Sequence, residues 1–312
     1  MLKNFYMIKW GADFNDNYNY GADIRFVELD YVRFSSPLMP SGTPIKTWHS
    51  RTEYHESRKS PMLPLLENGQ TYEIQVKAEF DNDDAVQVEI EFFDINNDVI
   101  DKLYFQELGG AFTYPDDAMS YKVQLVNKKH QYMLFKYLTI ADEALTKSCR
   151  IHYMEKLNLI EVKEKNAPKQ AKNEIVVLKN AKYITSLTLG ENTNYYFLLG
   201  NTNEVILLPA AVYIYNQMRR SSPQETIDIL RGPCFNSLTQ SYRNVPKALN
   251  ILIPASQLIN MPKEPVKKVS DLKRKSDVNQ LAYRILEKVA LEGKKTKPGS
   301  GLVENETRGE TN

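Results

Sequence analysis

Residues 21–72 read GADIRFVELDYVRFSSPLMPSGTPIKTWHSRTEYHESRKSPMLPLLENGQTY. Two short runs open the stretch, Ile24-Arg25-Phe26-Val27 and Tyr31-Val32-Arg33-Phe34. Their alternation at period two fits strands with one buried face. The pattern then stops, because Pro37, Pro40, Gly42 and Pro44 fall close together. Proline fixes φ and removes a backbone donor, so no regular strand continues through this segment. Ser41-Gly42 lies between two prolines and predicts a tight turn with Gly42 at positive φ. Leu38, Met39 and Ile45 flank the turn and are expected to be buried, and Trp48, His49 and Tyr54 follow it. The stretch therefore predicts an ordered loop that turns a corner between two strands.

Alternation resumes beyond it. Tyr72, Ile74, Val76, Ala78 and Phe80 share one face, and Val86, Val88, Ile90 and Phe92 share another. Asn96-Asn97 predicts a hairpin turn into a return strand over residues 99–105. Tyr121, Val123 and Leu125 alternate again, and residues 132–140 supply a last strand. Short strands at roughly ten-residue spacing predict an antiparallel sandwich. On the N-terminal side, FNDNYNYG reads as a loop feeding the first strand.

The fold class expected is mainly β: an N-terminal antiparallel β-sandwich over residues 1–145, followed by a smaller α+β region and a disordered tail. Residues 146–173 read as a linker that contains the polar run KEKNAPKQAKN, with a helix or a further strand open for residues 141–156. Residues 174–260 form the α+β region. Strands are expected at residues 175–178, 183–189, 195–199 and 205–208, and a helix over 210–220 opened by Pro209. Ser222-Pro223-Gln224-Glu225 is a capping signal for a helix ending at Gly232. The apolar run near ALNILIPA is interrupted by Pro246 and Pro254. Residues 261–276 are a basic linker. Residues 277–293 form an amphipathic helix whose stripe, with Leu281, Ile285 and Val289, covers either the second domain or a partner. Residues 294–312 carry too few apolar side chains to fold.

A chain of 312 residues with 42% hydrophobic and 25% charged residues is ordinary globular material, and its formal net charge of +1 creates no field toward nucleic acid or anionic lipid. Two cysteines make no disulfide framework. The opening residues lack a signal-peptide apolar core, and no run reaches the ~18 apolar residues of a membrane span. A cytoplasmic protein, brought to a membrane only by others, is the expectation.

Candidate chemistry is thin. Trp48, Tyr54, Tyr72, Tyr104 and Tyr114 can form an aromatic platform for sugar, or belong to a core or a protein interface. His49 and His55 stand near Glu53 and Glu56 without a metal-ligand spacing, and Cys149 and His152 would meet on a helix but make only two ligands. Asp94-Ile95-Asn96-Asn97-Asp98 begins like a calcium loop, then carries Val99 where glycine is needed and Phe105 where glutamate is needed. No nucleophile elbow, P-loop or dinucleotide fingerprint occurs. No catalytic residue, cofactor or metal is expected. The candidate contacts with a partner or glycan are Leu38, Met39, Pro40, Ser41, Gly42, Trp48, His49, Tyr54 and Tyr114.

Four blocks agree in order with one family: GADIRF, SSPLMPSGTPIKTWHS, SPMLPLLENGQTYEIQV and TYPDDAMSYKVQL, starting at residues 21, 35, 60 and 113. From about Trp10 to about Ile140 the chain resembles the third component of the accessory Sec system. The resemblance implies a carbohydrate-binding-module-like sandwich without catalysis. It also implies partners: two larger accessory proteins, one α/β-hydrolase-like and one glycosyltransferase-like, the accessory Sec motor ATPase, and a glycosylated serine-rich-repeat adhesin as cargo. The rival reading is a free-standing module for N-acetylglucosamine-type sugars.

Overall fold

The structure, a computed structural model, describes residues 2–11, 16–27, 31–52, 60–82, 84–129, 131–166, 172–201, 204–221, 225–259 and 276–295. The chain divides into two units, both discontinuous in sequence.

The first unit comprises Met1–His152, Glu161–Ala171 and Asn180–Tyr195. Its strands are β1 (Lys3–Ile8), β2 (Asp23–Phe26), β3 (Val32–Ser35), β4 (Pro44–His49), β5 (Thr71–Phe80), β6 (Val86–Phe93), β7 (Val99–Phe105), β8 (Gly109–Thr113), β9 (Ser120–Asn127) and β10 (Tyr132–Asp142). The short helix α1 (Glu143–Ser148) leads into β11 (Cys149–Met154), and β12 (Leu159–Glu164), β13 (Lys172–Lys179) and β14 (Ile184–Leu189) follow in the chain. One sheet runs β14-β1-β10-β3-β2, with β5 on the other side of β10 and β8 beyond it; the other runs β4-β9-β6-β7. The long β10 serves two neighbours on one edge, β3 through Tyr132–Phe135 and β1 through Leu138–Ala141. A bulge between Phe135 and Tyr137 re-aims it between them.

The period-two pattern sets the packing. In β6, Val86, Val88, Ile90 and Phe92 are buried while the residues between them are half-exposed. Tyr72, Ile74 and Val76 do the same in β5. Both apolar faces meet in one core, and Trp10, Trp48 and Phe135 stack in its centre, with ring centroids 5.2–6.2 Å from their aromatic neighbours. Each such ring withdrawn from water contributes roughly 1.5–3 kcal/mol. The expected two-layer antiparallel sandwich is present.

The second unit comprises Tyr153–Ile160, Lys172–Lys179 and Tyr196–Asn312. Further along the chain lie β15 (Thr193–Gly200), α2 (Leu207–Met218), β16 (Ile227–Arg231), α3 (Gln240–Leu252), β17 (Ser256–Leu258) and α4 (Asp277–Lys295). β13 pairs with β16 in parallel, and β16 with β17 in parallel. The β16-α3-β17 segment is a crossover unit, because neighbouring parallel strands need a connection long enough to return. Ile175, Val177, Leu198, Ile214, Ile229 and Leu249 form the centre of its core.

Several expectations are corrected. Lys3–Ile8 is already a strand, ahead of the loop expected to feed the first one. Residues 146–173 are no linker throughout: they hold the end of α1, β11 and β12. Residues 183–189 fall in the first unit, where β14 extends the sheet beside β1 from Lys3↔Leu189 to Ile8↔Ile184. Residues 205–208 are not a strand; Leu207 opens α2 and Pro209 sits in its first turn, where a missing N–H costs nothing. The helix expected to end at Gly232 is instead β16. Ile227, Asp228 and Ile229 are buried there, and strand pairing on both sides outweighs the capping signal, whose residues 222–224 lie outside the described residues. Pro246 does not interrupt α3 but lies inside it, buried. In α4, Leu281, Ala282 and Ile285 are buried in the core of the second unit, which settles what its stripe covers. Among the described residues, no helix is long and apolar enough to cross a membrane. The basic segment 261–275 and the tail from residue 296 lie outside the described residues.

Candidate functional site

The loop between β3 and β4 leaves the sheet at Ser36, whose carbonyl accepts the Met39 N–H at 3.1 Å. That closes a turn around Pro37 and Leu38. Met39 then dives back, 7% exposed, and enters the sandwich core, and Ile45 is fully buried, both as expected. Leu38, expected inside as well, instead stands 95% exposed, because it sits at the tip of the turn that the Ser36–Met39 bond closes. The chain reverses a second time at Ser41-Gly42. The Thr43 N–H donates to the Pro40 carbonyl at 3.3 Å, and Gly42 adopts φ +81°, the left-handed conformation expected for it.

Asn127, at the end of β9, holds this loop. Its side-chain amide donates to the carbonyls of Met39 at 2.9 Å and Pro40 at 3.1 Å. Its own carbonyl accepts the Gly42 N–H at 2.7 Å, and its N–H donates to the Thr43 carbonyl at 2.9 Å. The buried residue thus fixes four backbone positions of the loop. The result is a rigid corner that shows Pro37, Leu38, Pro40, Ser41 and Gly42 to solvent. No local pattern marks Asn127, because its partners lie more than eighty positions away in the chain.

The other named residues do not join that surface. Trp48 is fully buried, and its indole N–H donates to the Lys9 carbonyl at 2.9 Å. Beside it lies Lys46, fully buried as well, with its Nζ 5.7 Å from the Trp10 ring centroid and 5.9 Å from that of Trp48. The chain pairs of β4 put both side chains inward, and the sequence pattern gave no hint of a core lysine between two indoles. The His49 carbonyl accepts the N–H groups of Met62 and Leu63, at 3.0 and 3.2 Å, and its half-buried imidazole lies 3.8 Å from the Asp16 carboxylate. Tyr54 and His55 lie outside the described residues.

Tyr114 is 4% exposed and packs edge-on to Phe92 and Tyr121, each at 5.6 Å. Burial pushes its phenol above the usual tyrosine range, and does the same to Tyr72. Of the readings open for these rings, Trp48, Tyr72 and Tyr114 take the core one and present no platform, since none has a free face. Tyr104, 55% exposed under the Lys102 ammonium, stands apart from them on β7.

The acidic turn is structural. The Asp94 carboxylate accepts the N–H groups of Asn96 and Asp98, both at 2.9 Å, which is why Asp and Asn crowd this hairpin. Cys149 and His152 lie on β11 rather than on a helix, so a spacing of three turns them to opposite faces. Among the described residues, no three His, Cys, Asp or Glu side chains are grouped to hold a metal ion.

Relatives share the sandwich region. The chain is 34% identical over 125 residues to an accessory Sec system protein of Streptococcus gordonii, covering 40% of this chain and 79% of that one. It is 29% identical over 143 residues to the corresponding protein of Staphylococcus aureus, covering 46% of this chain and 44% of that one, so it spans less than half of the staphylococcal relative. A chain in the crystal structure of accessory secretory protein 1, 2 and 3 of Streptococcus pneumoniae is 31% identical, with a TM-score of 0.42, covering 43% of this chain and 94% of that chain. A family model also matches, over residues 17–142, which include β2 to β10 and the clamped loop. The chain belongs to the accessory Sec secretory system ASP3 family.

Proposed function

We propose that the chain is a non-catalytic, cytoplasmic subunit of an accessory Sec export complex. It assembles with two larger accessory proteins, α/β-hydrolase-like and glycosyltransferase-like, and the complex helps modify a glycosylated serine-rich-repeat adhesin and deliver it to the motor ATPase. Membrane contact is indirect, through these partners. Family membership supports the setting. The observation that carries the assembly role is the exposure of Leu38, 95%, on a loop whose backbone Asn127 holds rigid. A large apolar side chain presented on a pre-ordered backbone loses little freedom on binding, which is what an interface anchor requires.

The test is co-purification of the full chain with the two larger accessory proteins. Leu38→Asp should leave the chain folded and weaken the complex by about thirtyfold or more, the loss of an anchor worth ~2 kcal/mol. A complex that forms with unchanged affinity around Leu38→Asp would remove the loop from the interface. Failure of the unaltered chain to bind either protein would remove the assembly role itself.

A further inference from the structure

A second surface lies at the opposite end of β6 from the loop. Asn127, which holds the loop, pairs with Val86 at the start of β6, whereas the β6–β7 turn follows Phe93 at its end. β7 is the outermost strand of its sheet and pairs only with β6 among the described residues. Such an edge leaves a row of backbone N–H and C=O groups open to another strand, and proteins commonly guard it with proline or a free lysine. Here residues 99–105 contain no proline. The one lysine, Lys102, is held over the sheet face by Glu89 at 3.1 Å and Glu91 at 2.9 Å.

The same end carries apolar surface. Ile95 is 72% exposed, Val99 54%, Ile100 41% and Met119 51%. The Met119 N–H donates to the Phe93 carbonyl at 2.8 Å, which sets its side chain beside the turn. Asp98, Asp101 and Asp117 flank these four residues in the chain and are all exposed; the Asp101 carboxylate accepts the Lys102 N–H at 2.7 Å.

We propose that this edge takes up an extended segment of alternating apolar and basic residues from a partner protein, added as a strand beside β7. Backbone pairing supplies the affinity, the apolar group seats alternate side chains, and the acidic rim selects lysine or arginine. A second copy of this chain fits worse, since its own β7 carries a single lysine, already held by Glu89 and Glu91, and so brings no cation to the acidic rim. The proposal stands independently of the loop between β3 and β4 and of the assembly it serves.

The test titrates the full chain into a fluorescein-labelled peptide of alternating valine and lysine and follows anisotropy. Saturable binding is expected, weaker at higher salt, and weakened about tenfold by either Asp98→Lys or Ile95→Ser, a loss on the scale of one contact. Both substitutions are at exposed turn positions and should leave the melting temperature unchanged. Absence of binding overturns the proposal, as does equal affinity for a valine–glutamate peptide. Undiminished binding of a valine–lysine peptide with a central proline rules out strand addition. A dimer of the free chain in light scattering, abolished by Ile95→Ser, assigns the edge to a second copy instead.

Discussion

The Asn127 side-chain amide donates to the Met39 carbonyl at 2.9 Å, linking the end of β9 to the one loop residue that returns to the core. The bond matters because the Met39 and Pro40 carbonyls have left the sheet ladder and need donors where they sit. Asn127→Ala keeps the two backbone bonds to Gly42 and Thr43 but removes both amide donations. It should cost about 1–3 kcal/mol, chiefly the penalty for stripping the Met39 carbonyl of its donor, since the Pro40 carbonyl keeps the Thr43 N–H. Urea unfolding measures the cost. Hydrogen exchange at the Gly42 and Thr43 amides should also quicken, which a uniform loss of stability does not single out.

Leu38 and Met39 are neighbours with opposite assignments, and their substitutions should separate cleanly. Leu38→Ser removes an exposed side chain and should change stability by less than about 0.5 kcal/mol. Met39→Ala opens a cavity in the sandwich core and should cost about 2–5 kcal/mol. Thermal melts of both variants check the pair. Equal losses would mean that the loop packs down as a whole and presents no anchor.

The corner itself is readable from residues 35–50 because its causes are local: proline sets φ, Gly42 accepts a positive φ, and alternation marks the flanking strands. What holds the corner is not readable there, since Asn127 is distant and carries no signature of its own. The aromatic residues show the same division. Their presence near the loop is plain in the sequence, but alternation alone does not say which face of β4 is inward until β9 sets the register, Trp48 against Val123. In the second unit the capping signal before Ile227 is a local preference worth ~1 kcal/mol, and pairing with β13 and β17 in a buried sheet overrides it.

Trp48 decides between a core role and a sugar contact. Trp48→Ala should cost about 3–5 kcal/mol, because it opens a cavity beside the Trp10 and Phe135 rings and strands the Lys9 carbonyl. Trp48→Phe retains most of the ring and should lose less. Chemical denaturation with near-ultraviolet circular dichroism reads both. An alanine variant as stable as the parent chain would put the indole at the surface, against its full burial.

Two carboxylates should give pH effects of opposite sign. Burial works against the charge of Glu91, but Lys122 at 2.7 Å and Lys102 at 2.9 Å outweigh it and hold its carboxyl below the usual range. Its contribution is present above the ordinary carboxylate pKa and disappears as pH falls through the lower folded value. Glu91→Gln should therefore lower the melting temperature at pH 7 and not at pH 3. The effect is modest, of order 1 kcal/mol or less, because both lysines are partly in water. Asp142 behaves in reverse. Burial raises its pKa, outweighing the N–H of Asn4 that donates to it at 2.7 Å. A raised folded value makes its contribution favourable below the ordinary carboxylate pKa and lost as pH climbs through the folded one. Asp142→Asn retains an acceptor for Asn4, removes the buried charge, and should raise the melting temperature at pH 7 relative to the parent chain, with the gain fading toward pH 3. Melting curves of both variants across that range test the two signs together; a shift of the same sign at pH 7 would mean that one of the two carboxylates sits in an environment other than the one described.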